Sequence, residues 1–420
     1  MKKIFLMFIM MGIFVIPAVS GNNPVWAGET DVLIDILQKK GILTPREAKE
    51  VLSEIQTQKE KKKAPVKASV KDVESSGFKL PKWVENTKVK GDFRFRYQYQ
   101  ETDESGSESR DRWRIRWRFG LETQINERLK TAFRLASGGG DPRSRNLTLT
   151  NTFDTSNVQL DLAYAQFDPN KHWSLVAGKF KNPIWNTKDL LWDSDINPEG
   201  IGVQFLNYKI NQFELFGTAG FYVLEEFSSD TSDPWLGLIQ AGSKVKLTDS
   251  LYLKFAGAFY SFQDLKGNSF DYSAGTNSTD AGGNFRYDYD AFGLDAELGF
   301  KLSGPVPFVG IFGQYVNSDA SDDDLGYLAG LKFGHKKVKK FGQWQVKYNY
   351  RRLEQDAWPD FLSDSDFYDG ETDVQGSEIE FTFGLAKNVT IGIDYYKSEQ
   401  IDRKPTIEED LVQVDLVLKY

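Results

Sequence analysis

Hydrophobic and polar residues alternate with a period of two through most of the chain after Lys88. In residues 112–125, tryptophans, isoleucines and other apolar residues hold the odd positions except 123, and arginines hold 112, 114, 116 and 118. Successive side chains of a strand point to opposite faces, so this run predicts a strand with one apolar and one cationic face. Residues 88–100 and 409–420 repeat the alternation.

We count sixteen such segments, and the connections between them alternate between long and short. Residues 126–127 and 248–249 are short turns, whereas 139–156 and 182–200 are long connections. A soluble β-sandwich also alternates, but it has no reason to sort its connections by length. Short turns at one end and long loops at the other are typical of bacterial outer-membrane barrels. We therefore predict an all-β transmembrane antiparallel barrel of about 16 strands over residues 88–420, with both termini periplasmic.

The residues before 88 have three different compositions. Residues 1–27 combine two lysines with a 13-residue apolar run, 4–16, which is too short to span a bilayer as a helix and indicates a signal peptide. Residues 28–58 show two short amphipathic helical patterns, the second opened by a capping box at 44–47. They form either a periplasmic spacer or a small module for oligomerisation or cell-wall contact. Residues 59–87 form a Lys-rich linker.

Composition excludes several classes of site. The chain has no cysteine, so disulfides, thiolate metal sites and haem-attachment motifs are absent, and we predict no cofactor. The two histidines, His172 and His335, adjoin short turns, away from the long loops where a barrel enzyme would place its base. We therefore do not predict an enzyme. An alternative to a free pore is a scaffold that sheathes a partner such as a cytochrome.

Several stretches resemble the bacterial putative porin family, whose architecture is related to general and anion-selective outer-membrane porins. They are RDRWRIRWRFGLE at 110–122, AFRLASGGGDP at 132–142, LVAGKFKNPIW at 175–185, LLWDSDINPEG at 190–200 and the helical preface at 31–55. The resemblance implies passive diffusion of small hydrophilic solutes or ions through a water-filled barrel. It also implies outer-membrane lipid around a homotrimer and no nucleic acid partner.

Inward-facing charges define the candidate pore lining. The alternation places a cationic ladder on the first three strands: Lys90, Arg94, Arg96, Arg112, Arg114, Arg116, Arg118, Lys130 and Arg134. Acidic positions on later strands are Asp295, Glu297, Glu378, Glu380 and Asp394. Opposed charges make a field across the lumen that discriminates between solutes by charge, so an anion preference is possible.

The resemblance places a constriction in the third long loop, whose candidate residues are Trp185, Lys188, Asp189, Trp192, Asp193 and Asp195. Tyr420 is the candidate assembly signal because it is an aromatic residue on the apolar register of the last strand. Acidic loops at 318–324 and 354–373 could bind divalent cations through their carboxylates, but solvated loops are the commoner case.

Overall fold

The computed structural model describes residues 81–228 and 232–420. The predicted signal peptide 1–27, the helical segment 28–58 and most of the linker 59–87 lie outside the described residues. The end of that linker contains a four-residue helix, α1, at Lys82–Glu85. No helix in the described part of the chain has the length and apolarity needed to cross a membrane.

Seventeen strands account for most of the described residues. They are β1 Thr87–Thr102, β2 Arg110–Gln124, β3 Leu129–Ser137, β4 Leu147–Thr148, β5 Val158–Asn170, β6 Trp173–Lys179, β7 Glu199–Ile210, β8 Phe213–Val223, β9 Trp235–Lys246, β10 Leu251–Gln263, β11 Ala291–Lys301, β12 Phe308–Ser318, β13 Leu325–Gly334, β14 Trp344–Leu353, β15 Val374–Ala386, β16 Val389–Gln400 and β17 Glu408–Lys419.

Sixteen of these strands form a closed antiparallel barrel. Each pairs with its neighbours in the chain, and β1 pairs with both β2 and β17, which closes the sheet on itself. The two-residue strand β4 pairs only with β2, so it is an addition to the barrel wall. Closure leaves no unpaired edge, as a strand-built membrane span requires. The predicted fold is confirmed, including the strand number.

The largest difference from the predicted strands is at the tenth of the sixteen segments, whose alternation predicts a strand over 285–302. The strand β11 begins at Ala291, and residues 285–290 belong to the preceding loop. Tyr289 has a φ of 63°, and the Asp290 carboxylate accepts a hydrogen bond of 2.8 Å from the backbone N–H of Phe262. These two features turn the chain before the strand starts, and the alternating aromatic residues pack into the core instead.

The two faces of the barrel have different compositions. Large apolar side chains lie exposed on the outer face, as the alternation predicts; examples are Trp117, Phe133, Ile201 and Phe259. A face of this kind suits contact with lipid. The inner face is charged along β1 and β2, but on β8–β14 the half nearest the long loops is apolar and buried, as Tyr222, Leu238, Phe262 and Leu328 show.

Three long loops cover that apolar inner surface: the third loop (residues 180–198), the fifth loop (264–290) and the seventh loop (354–373). They share one hydrophobic core with the strands. Trp358 of the seventh loop is fully buried, with ring centroids 5.8 Å from Trp192 and 4.9 Å from Tyr260. The lumen is therefore packed on one side at the long-loop end and is not polar throughout.

The position of the seventh loop corrects one expectation. The sequence suggested that the acidic residues 354–373 form a solvated loop or a cation site. Most of this loop is buried, and its carboxylates Asp364 and Asp366 pair with Arg351 and Arg96 of the barrel wall, each at 2.9 Å. Ion pairs with the wall therefore replace solvent around these two carboxylates.

Candidate pore and its lining

Backbone hydrogen bonds hold the third loop against the inner wall. The N–H of Thr187 donates to Asp295 at 2.7 Å, and the N–H of Leu190 donates to Gln314 at 3.2 Å. Gln240 accepts from the N–H of Trp185 at 2.9 Å and donates to its carbonyl at 2.8 Å. The loop thus runs inside the barrel along β9, β11 and β12.

Ion pairs connect the same loop to strands farther round the barrel. The Lys188 ammonium lies 3.0 Å from Glu378 and 2.8 Å from Glu380, both on β15. Asp189 pairs with Arg351 of β14 at 3.2 Å. Asp195 lies 3.4 Å from Arg116 and 3.2 Å from Arg118, both on β2. The third loop therefore contacts opposite sides of the lumen.

The two central carboxylates of the third loop have opposite titration behaviour. Burial and the neighbouring charge of Asp195 raise the pKa of Asp193 to about 8. Burial also acts to raise the pKa of Asp195, but Arg116 and Arg118 outweigh it, and the pKa of Asp195 is lowered. At neutral pH Asp193 is therefore largely protonated and Asp195 is ionised.

Carboxylates surround most of the cationic ladder on β1–β3. Arg96 pairs with Asp415 at 2.7 Å and with Asp366 at 2.9 Å. Further ion pairs of the ladder are Arg116–Asp92 at 3.1 Å, Arg118–Asp92 at 2.7 Å, Lys90–Glu122 at 2.7 Å, Arg94–Asp415 at 3.5 Å and Arg134–Asp161. These carboxylates offset much of the positive charge.

Three members of the ladder have no carboxylate within 4.0 Å among the described residues. Arg112 and Arg114 donate to the amide oxygens of Gln100 and Gln98, the second at 3.1 Å. Lys130 of β3 is the third member of the ladder without a nearby carboxylate. We call the six arginines of the first two strands the arginine wall: Arg94 and Arg96 of β1 with Arg112, Arg114, Arg116 and Arg118 of β2.

The predicted acidic residues lie in two places. Asp295 and Glu297 are on β11, across the lumen from β2. Glu378, Glu380 and Asp394 are on β15 and β16, and only β17 separates β16 from β1. Glu380 also pairs with Lys347 at 2.7 Å. In register, Asp394 lies opposite Glu380. This second set is thus close to the arginine wall.

A second cationic surface lies nearer the short-turn end. We call Lys244 of β9, Lys254 of β10, Lys332 of β13 and Lys336 after β13 the lysine group. Lys332 and Lys336 share the carboxylate of Glu297, the second at 3.7 Å. The sequence reasoning missed this group, although the inward register of β9, β10 and β13 was available as a signal.

An open cavity of about 610 Å³ remains beside the third loop. Its lining mixes charges of both signs with an aromatic ring; among the residues are Lys181, Trp185, Lys188, Lys347 and Glu380. A hydrophilic cavity of this size can hold many waters.

The remaining candidate residues have simpler surroundings. His172 Nδ1 lies 3.0 Å from the carbonyl of Leu206, and His335 Nδ1 lies 3.2 Å from the carbonyl of Trp344. Tyr420 exchanges two backbone hydrogen bonds of 3.1 Å with Gly91, and its hydroxyl donates to the carbonyl of Arg118 at 2.9 Å. Tyr420 therefore joins the seam between β17, β1 and β2.

A closed 16-strand barrel with an apolar outer face and a charged lumen defines an outer-membrane porin as the class of protein. The sequence comparison identifies the family to which the chain belongs within this class. The family model described as putative porin matches residues 103–292 and 276–420, and the chain belongs to that family. This membership and the fold indicate a channel in the bacterial outer membrane.

Solved porins share the fold at low sequence identity. The high-pH structure of Pseudomonas putida OprB is 10% identical, with a TM-score of 0.52, and the match covers 80% of this chain and 95% of that one. A mutant of the Rhodopseudomonas blastica porin is 12% identical, with a TM-score of 0.45, over 80% of this chain and 100% of that one. No curated protein matches the chain.

Proposed function

We propose that the protein is a passive diffusion pore for small hydrophilic solutes and ions, with a preference for anions. The observation that carries the preference is the unequal pairing of charges in the lumen. Most of the arginine wall is matched by carboxylates, whereas Lys244 and Lys254 have none within 4.0 Å among the described residues. Uncompensated positive charge in a low-dielectric wall raises the local concentration of anions.

The third loop has the position of a constriction in this proposal. It spans the lumen from Asp295 to Asp195 and its partners on β2, and an open cavity lies beside it. A solute passing this level meets Lys188, Asp189 and Trp185, which set the size and charge that can pass.

The proposal also includes the oligomeric state of the barrel and its orientation in the membrane. The apolar outer face contacts outer-membrane lipid, and three copies associate through part of it. The short turns and both termini face the periplasm, so the long loops face outward. Tyr420 serves as the assembly signal through its place on the seam with Gly91.

The test is single-channel recording of the purified full-length protein in a planar bilayer under a KCl gradient. We expect stepwise conductance and a reversal potential whose sign indicates anion preference. The double variant Arg114→Glu with Arg116→Glu should move the reversal potential toward cations, because it inverts two charges that face the lumen. Correctly folded, heat-modifiable protein that inserts without conductance would contradict the pore. Co-purification of a stoichiometric haem protein would then favour the scaffold.

A further inference from the structure

The lysine group has more positive charge than its surroundings compensate. Four lysines stand near three carboxylates, Glu297, Glu214 and Asp295, so positive charge remains in excess. Lys244 and Lys254 are register partners on adjacent strands. Like charges directly opposite each other destabilise a sheet. A multiply charged anion between them would remove that repulsion.

Aromatic rings position these ammonium groups without neutralising them. Lys244 lies 4.8 Å and Lys336 lies 4.3 Å from the centroid of the Tyr252 ring. Lys254 lies 4.1 Å from the Trp185 ring and 4.5 Å from the Phe216 ring. Cation–π contacts of this kind hold a lysine in place while its N–H groups stay available as donors.

Lys244 of this group is accessible from the short-turn end. A cavity of about 240 Å³ there is lined by Lys244 and Tyr252, with further lysines of the rim and the carboxylates of Glu214 and Asp249. This volume is below the roughly 300–1,000 Å³ of pockets that take drug-sized ligands. The cavity therefore suits a small hydrated ion.

The same wall continues toward the third loop. Lys254 contacts Trp185, and Trp185 also lines the larger cavity beside that loop. Cationic side chains thus follow one another from the rim to the proposed constriction. An anion that enters at the rim can move between adjacent ammonium groups.

We propose that the lysine group is a binding station for small, multiply charged oxyanions of the phosphate and dicarboxylate kind. Ammonium groups bind such anions as point charges, and the two facing ammonium groups of Lys244 and Lys254 favour a divalent ion over chloride. The inference rests on the proposed pore and names the class of solute that it concentrates.

The experiment measures chloride current through the full-length protein while inorganic phosphate is added at the short-turn side. Phosphate that occupies the station slows chloride passage, so we expect a saturable decrease in conductance. The double variant Lys244→Gln with Lys254→Gln should raise the half-blocking phosphate concentration by about tenfold, because tenfold corresponds to about 1.4 kcal/mol of binding free energy. Succinate in place of phosphate tests the dicarboxylate arm: equal blocking supports charge recognition, and blocking by phosphate alone restricts the station to phosphate.

The matched control is Lys339→Gln with Lys387→Gln. It removes two exposed lysines from turns at the same end of the barrel, outside the lysine group. We expect the half-blocking concentration to stay within about twofold, since distant exposed charges are screened by salt. Stepwise conductance without saturable block by either anion would overturn the station and leave the pore intact. Absence of conductance in the unmodified protein would remove the pore itself.

Discussion

The arginine wall and the lysine group both face the lumen, but their charges have different surroundings. Arg96 is 2% exposed and joins carboxylates of β17 and the seventh loop, so it holds one part of the molecule to another. Lys254 instead lies against the aromatic rings of Trp185 and Phe216. Positively charged side chains can thus stabilise the fold on one wall and attract solute on the other.

The arginine wall should dominate stability. Arg96→Ala leaves Asp366 and Asp415 without their nearest counter-charge, and breaking a buried pair costs about 3–5 kcal/mol. We expect a loss of about 3 kcal/mol in the free energy of unfolding, measured by denaturant titration in detergent.

Arg114→Ala is the matched control, because Arg114 faces the same lumen and bonds to the amide oxygen of Gln98. Its loss should be about 1 kcal/mol, the usual contribution of one hydrogen bond. Equal losses for the two variants would show that the carboxylate partners of Arg96 do not hold the seventh loop.

The lysine group should dominate ion selectivity. Lys244→Gln with Lys254→Gln removes uncompensated charge, so the ratio of chloride to potassium permeability should fall by about threefold. Arg112→Gln with Arg114→Gln removes charge that has Asp366 nearby, and we expect a smaller change. Reversal potentials under a KCl gradient measure both. A larger shift of the reversal potential in the arginine double variant would instead assign ion selectivity to the arginine wall.

The smallest expected effect is a pH dependence that comes from the titration of Asp193. The folded-state pKa of Asp193 lies near 8, above its ordinary 3.8. The folded protein therefore holds more protons than the unfolded chain between about pH 4 and 8. The stability that this group contributes is present at low pH and is lost as the pH rises through that window.

Ionised Asp193 also adds negative charge near the arginine wall. The permeability ratio should move toward cations by less than about twofold between about pH 6 and 9, and Asp193→Asn should reduce the change. Asp154→Asn, at an exposed loop position, is the control and should keep it. A pH response of unchanged size in Asp193→Asn would assign the titration to another group.

The barrel could be predicted from the sequence because each strand carries its own signal. The arginine–tryptophan alternation of β2 fixes both the strand and the face that meets lipid, and the connection lengths fix the strand direction. Tertiary packing overrode this signal only locally. Residues 285–290 alternate as a strand does, yet Phe285 and Tyr289 enter the loop core.

The lumen was harder to predict, since its contacts join residues that are distant in the chain. Lys244 and Lys336 flank the same ring only after barrel closure brings β9, β10 and β13 together. The inward folding of the seventh loop had a signal, because Trp358, Phe361 and Leu362 are unusual in a solvated loop. The pairing of each carboxylate with a particular arginine had no signal in the sequence, because strand register alone does not determine the path of a loop.

The shared core of the three long loops has an evolutionary consequence. It keeps those loops in place through fully buried residues such as Trp358 and Tyr260. Lys244 and Lys336 pack on Tyr252, outside that core, so they can be replaced without removing its contacts. A chain of this fold can therefore acquire a new solute preference through a few lysine replacements, while the packing of its long loops stays the same.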